Sequence, residues 1–116
     1  MPLIKVQTSI DVPDQTAIAA LFKSLSDGIT RHIGKPEIYV MIIFEPNMRM
    51  TFGGTFDPSG YLEVKSVGTM NPTQTKAMSQ DFCETIASQL GIPIDRIYIE
   101  FSDAKGSMWG WNGSTF

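Results

Sequence analysis

Hydrophobic positions recur along this chain with two periods, and each period occurs twice. Ile18, Leu21, Phe22, Leu25, Ile29 and Ile33 fall on one face at a spacing near 3.6, the period of an amphipathic helix. Met78, Phe82, Ile86 and Leu90 repeat that pattern, with Cys83 and Ala87 beside them. Leu3 to Thr8 reads as a strand, and Tyr61 to Val67 tends to alternate, as a strand with one exposed face does. Ile38 to Phe44 is apolar throughout, which predicts an interior strand covered on both faces.

The punctuation repeats with the pattern. Pro13-Asp14-Gln15-Thr16, Gly34-Lys35-Pro36 and Ile38-Tyr39-Val40 return as Pro72-Thr73-Gln74-Thr75, Gly91-Ile92-Pro93 and Ile97-Tyr98-Ile99. The outer blocks are offset by 59 residues and the middle one by 57. Asn71 before Pro72 makes a good helix start, a side-chain cap followed by a residue with no N–H to satisfy. Gly34 and Gly91, each two residues before a proline, are left-handed stops. The chain therefore reads as two β-α-β units within one domain, residues 1–116, with pseudo-repeats at about 2–56 and 60–116.

Two such units imply an α+β fold: a four-stranded mixed sheet with both helices on one face. The other face then lacks a cover, and an apolar run such as Ile38 to Phe44 implies that further subunits supply one. Between the halves, Glu45-Pro46-Asn47 and Gly53 to Gly60 read as turns, with Arg49 to Phe52 a short strand between them. The glycine- and aromatic-rich tail, Gly106 to Phe116, is expected to pack as short strands or turns.

Composition narrows the function. Nine basic against 12 acidic side chains give a net charge of −3, with no basic cluster for phosphates, so no nucleic-acid partner is expected. No apolar run approaches the roughly 18 residues that span a bilayer, and no secretion signal is visible at Met1 to Thr8, so a cytoplasmic protein without a membrane partner is expected. One cysteine excludes an internal disulfide framework, and with one histidine it cannot build a conventional metal cluster. No cofactor is expected. His32, near the end of the first helix, and Cys83, on the apolar flank of the second, read as structural residues. Asn112-Gly113-Ser114 matches a glycosylation acceptor, which carries little weight without a secretion signal.

Met1-Pro2 is the unusual feature. Removal of Met1 would leave Pro2 with a free secondary amine, and burial among apolar side chains disfavours the charged form of an amine. A neutral amine near pH 7 can act as general base and then acid. The dipeptide by itself does not separate such a group from a proline that merely follows the start codon.

Pro2 opening a strand, Gly34-Lys35-Pro36, Phe52-Gly53-Gly54, Ser66-Val67-Gly68, Asp95-Arg96-Ile97-Tyr98-Ile99 and Gly110 to Phe116 together resemble the macrophage migration inhibitory factor family over essentially the whole chain. The resemblance implies duplicated β-α-β units in a homotrimer, with sites at subunit interfaces and three sheets lining a central channel. It also implies a cofactor-free tautomerase acting on phenylpyruvate-type aromatic keto acids. Pro2 would move the proton. Lys35 and the backbone N–H of Val67 would meet the substrate carboxylate, Tyr98 would come from the neighbouring subunit, and Trp109 and Phe116 would form an aromatic wall. Glu100 stands where the best-known animal member has an asparagine that bonds the substrate's phenolic hydroxyl; a carboxylate accepts that bond but cannot donate one. Trp109 replaces a smaller aliphatic residue and is expected to narrow the pocket mouth. Ser59 and Leu62 replace a CxxC pair, so thiol-oxidoreductase activity is not expected. The alternative implied by animal members is a cytokine-like protein, exported unconventionally to a receptor, with a secondary or vestigial site.

Overall fold

The computed structural model describes all residues, Met1–Phe116. The first unit runs β1 (Leu3–Thr8), α1 (Gln15–Ile33), β2 (Met41–Glu45), and the second β3 (Gly60–Val67), α2 (Pro72–Leu90), β4 (Ile97–Ala104). Each pair of strands within a unit is parallel, and β1 meets β3 antiparallel, giving one mixed sheet of order β2-β1-β3-β4. A two-residue hairpin follows, β5 (Gly110–Trp111) with β6 (Ser114–Thr115). No helix is long and apolar enough to cross a membrane.

Local chemistry sets the helix ends. The Asp14 carboxylate accepts from Thr16 N–H at 2.9 Å, and Asn71 and Gln74 satisfy each other's backbone N–H groups in a capping box. Gly34 (φ 68°) and Gly91 (φ 73°) terminate the two helices in the left-handed conformation expected of them. Leu21, Leu25 and Ile29 from α1 and Met78, Phe82 and Ile86 from α2 pack without solvent access against Ile4, Val6, Leu62 and Val64 of the central strands. His32 and Asp81 join the helices at 2.7 Å, with Arg31 at 3.1 Å from the same oxygen, a structural role. Cys83 is buried in this core, and burial pushes its thiol above the ordinary range.

Three expectations need correction. The apolar run beginning at Ile38 is not an interior strand. Pro36 leads into a 3-10 turn over Glu37–Tyr39, the strand begins at Met41, and it pairs only with β1, at the edge of the sheet. Ile42 and Phe44 turn to the helices, while Met41 and Ile43 face the open side. Second, that open side is not uniformly apolar, because Leu3, Met41, Ile43 and Val67 share it with charged side chains. It carries Lys5–Glu45 at 3.7 Å, Glu63–Lys65 at 3.7 Å and a Tyr61–Glu100 hydrogen bond of 2.7 Å, polar groups compatible with water between the apolar ones. Third, Arg49 to Phe52 forms no strand. Only Phe52 bridges to Thr55, across a turn made by Gly53 and Gly54, both at positive φ.

Candidate functional site

The start of β1, the start of β2 and the tail converge on one apolar cleft of about 250 Å³. Pro2 lies buried at its base, its carbonyl accepting from Met41 N–H at 3.0 Å, so the parallel β1–β2 pairing fixes where the chain enters the sheet. Ile38 and Tyr39 line one side from the 3-10 turn, and Trp109, Trp111 and Phe116 close the other. Trp111 and Phe116 stack at 5.7 Å with 14° between planes, and Tyr39 meets Trp111 edge-on at 5.4 Å.

The terminal amine, at Met1 in the unprocessed chain, has its pKa lowered, first by burial and then by the positive charge of Lys35. Both effects act through this corner of the fold, and removal of Met1 would place the amine at the more buried Pro2. Lys35 follows the left-handed Gly34, and its Nζ lies 3.9 Å from where a Cβ on Gly68 would stand. Gly68 ends β3 directly after Val67, and Leu3 pairs with Lys65, so Val67 lies toward the N-terminal end of β1. One chain thus gathers Pro2, Lys35, Val67, Trp109 and Phe116 into a single neighbourhood, with an amine, a cation and an apolar wall.

Tyr98 and Glu100 lie elsewhere. Tyr98 pairs with Tyr61, which pairs with Gln7, about 13 Å along β1 from Leu3. There Tyr98 packs on Phe52 at 4.8 Å and lines a second hollow. Glu100 accepts from the Tyr61 hydroxyl at 2.7 Å, with Glu63 also 3.1 Å from that oxygen. The bond to Glu100, then burial and Glu63, hold the Tyr61 hydroxyl far above the ordinary phenol range. Sequence reasoning missed Ile38, Tyr39, Met41 and Trp111 as cleft residues. Trp111 carried a signal, an aromatic in a glycine-rich tail beside Trp109; Tyr39 was hidden by its assignment to a strand.

The duplicated β-α-β sheet, with Pro2 buried in an apolar cleft near Lys35, is that of a protein of the tautomerase superfamily. More narrowly, the chain belongs to the macrophage migration inhibitory factor family, whose model matches residues 1–116. It is 36% identical to a macrophage migration inhibitory factor homolog of Trichuris trichiura, covering 100% of both chains. It is 35% identical to that of Brugia malayi, covering 100% of this chain and 99% of the relative. A solved homologue from Prochlorococcus marinus superposes with a TM-score of 0.92 at 43% identity, over 98% of each chain.

Proposed function

We propose that this protein is a keto–enol tautomerase for phenylpyruvate-type aromatic 2-keto acids, with Pro2, freed by removal of Met1, as general base and acid. The observation that carries the reading is the burial of Pro2 in an apolar cleft, at a corner where burial and Lys35 lower the pKa of the amine that Met1 carries. The neutral Pro2 amine takes a proton from the carbon beside the ketone, and the proton is returned to the enolate oxygen. The amine begins and ends neutral, and the step needs no cofactor. Lys35 and the Val67 N–H hold the substrate carboxylate and the charge that develops beside it. The aryl ring lies against Trp109, Trp111 and Phe116.

The active form is a homotrimer in which Tyr98 and Glu100 of a neighbouring subunit complete each cleft. Exposed Ile38 and Met41 near the cleft, and Tyr98 with Phe52 at the opposite end of the sheet, give the two unlike apolar patches that a closed head-to-tail ring requires. Glu100, as an acceptor, favours a hydroxylated aryl group over a bare one. The protein works in the cytoplasm on small aromatic keto acids; the signalling alternative rests on family membership alone.

The test is ultraviolet measurement of ketonisation of enol phenylpyruvate and its hydroxylated analogue, with mass spectrometry to establish that Met1 is absent. Pro2→Gly is expected to lower kcat by about 10²–10⁴-fold, the ordinary worth of a general base. Lys35→Gln is expected to act mainly on KM, raising it about 10- to 100-fold for one charge-assisted contact. No turnover by the Met1-free trimer, or undiminished turnover in Pro2→Gly, would contradict the assignment.

A further inference from the structure

The chain has three asparagines, Asn47, Asn71 and Asn112, and the structure treats them unequally. Asn71 precedes Pro72, which has no N–H, and its side chain is held by Gln74 N–H at 2.8 Å. Asn47 precedes Met48, whose N–H donates to Thr8 O at 2.9 Å. Asn112 is exposed and precedes Gly113, whose N–H finds no backbone partner. Apart from its two chain neighbours, no heavy atom stands within 4 Å of the place a Gly113 side chain would take, so that side of the turn is open. Asn112 (φ 52°) and Gly113 (φ 76°) form the two-residue turn between β5 and β6, a geometry that favours glycine and tolerates asparagine.

We propose that Asn112 is a site of spontaneous deamidation, and that its conversion opens the aromatic wall of the cleft. The Gly113 nitrogen, on losing its proton, attacks the side-chain carbonyl carbon of Asn112. A C–N bond forms, the bond to the side-chain nitrogen breaks, ammonia leaves, and a five-membered imide remains. Water opens that ring at either carbonyl, leaving aspartate or isoaspartate. No oxidant, enzyme or cofactor takes part, and the rate rises with pH because the attacking nitrogen must be deprotonated. Isoaspartate routes the backbone through the side-chain methylene, adding one atom to a turn that a two-residue hairpin cannot lengthen. Trp111 then loses its register with Ser114, and with it the stack on Phe116. Half of the cleft's aromatic wall hangs on this one turn.

The test incubates the intact protein at mildly acidic and mildly alkaline pH, then digests it with trypsin. Cleavage after Lys105 releases Gly106 to Phe116, in which Asn112 is the sole asparagine. That fragment is expected to gain about one mass unit and split into two chromatographic forms, several-fold faster at the alkaline pH, while the Asn47 and Asn71 fragments stay unchanged. Near-ultraviolet dichroism, which reads the packing of the tail aromatics, is expected to decay with the same time course, and to hold steady in Asn112→Gly. An unmodified tail fragment, equal modification at Asn47, or equal decay in Asn112→Gly would overturn the proposal. None of these readouts depends on turnover.

Discussion

Gly106 shows how much of the cleft depends on one absent side chain. A Cβ there would come within 2.6 Å of the Phe116 carbonyl carbon and 2.9 Å of its oxygen. These are backbone atoms, so no rotamer change relieves the clash, and the chain end must move. Gly106→Ala is expected to leave the core intact, because Phe116 is exposed and outside it, yet to displace the aromatic wall. KM for an aryl keto acid should rise about 3- to 10-fold, the worth of roughly one aromatic contact. Steady-state kinetics beside near-ultraviolet dichroism checks this, and an unchanged spectrum with an unchanged KM would refute it. Pro2 and Lys35 were singled out through the family resemblance, since Met1-Pro2 by itself does not separate a catalytic amine from a proline that follows the start codon. Tyr39 was not, because its place in the cleft follows from the 3-10 turn after Pro36, which apolar patterning reads as continuous strand.

At the scale of elements, the two helices approach closely at Gly28. A methyl group there would meet Phe82 Cε1 at 2.8 Å and Asp81 Oδ2 at 3.3 Å. Alanine in place of glycine adds about 1 kcal/mol of helix propensity, while overpacking a filled core costs about 1–3 kcal/mol. Phe82 is fully buried and Asp81 is bound to His32 and Arg31, so neither yields freely and the cost outweighs the gain. Gly28→Ala is expected to lose up to about 2 kcal/mol in denaturant unfolding, and a variant as stable as the parent would refute the close approach. The loop after β2 is held differently: the Arg96 guanidinium donates to the carbonyls of Phe52, Thr55, Asp57 and Pro58 at 2.9–3.3 Å. Helices and their ends were readable because caps, glycine stops and period are local signals. The edge position of β2 was not, since edge or centre is decided by which distant strand pairs on the second side. The four carbonyls that gather on Arg96 likewise leave no pattern in the chain.

For the whole molecule, the duplicated architecture was legible from the repeated punctuation, and the fold agrees with it. What the sequence simplified was the open sheet face, where alternation places Lys5, Glu63, Lys65 and Glu100 among Leu3, Met41, Ile43 and Val67, a mixed surface rather than a continuous apolar one. A single chain therefore holds the amine, the cation and the wall at one end and Tyr98 and Glu100 at the other. The proposed proton chemistry belongs to the first end. Burial and Lys35 both lower the pKa of the amine carried by Met1, and a Pro2 amine freed in the same corner would meet the same two influences; with the neutral amine as the proposed base, activity should be present above that lowered pKa and lost as pH falls through it. The most direct measurement is the pH profile of kcat/KM for the Met1-free protein beside Lys35→Gln. The expected profile rises to a plateau with its midpoint below that of a free prolyl peptide, and the midpoint moves upward in Lys35→Gln. A midpoint at or above the free-peptide value, or one that Lys35→Gln leaves in place, would contradict a desolvated Pro2 amine as the proton carrier.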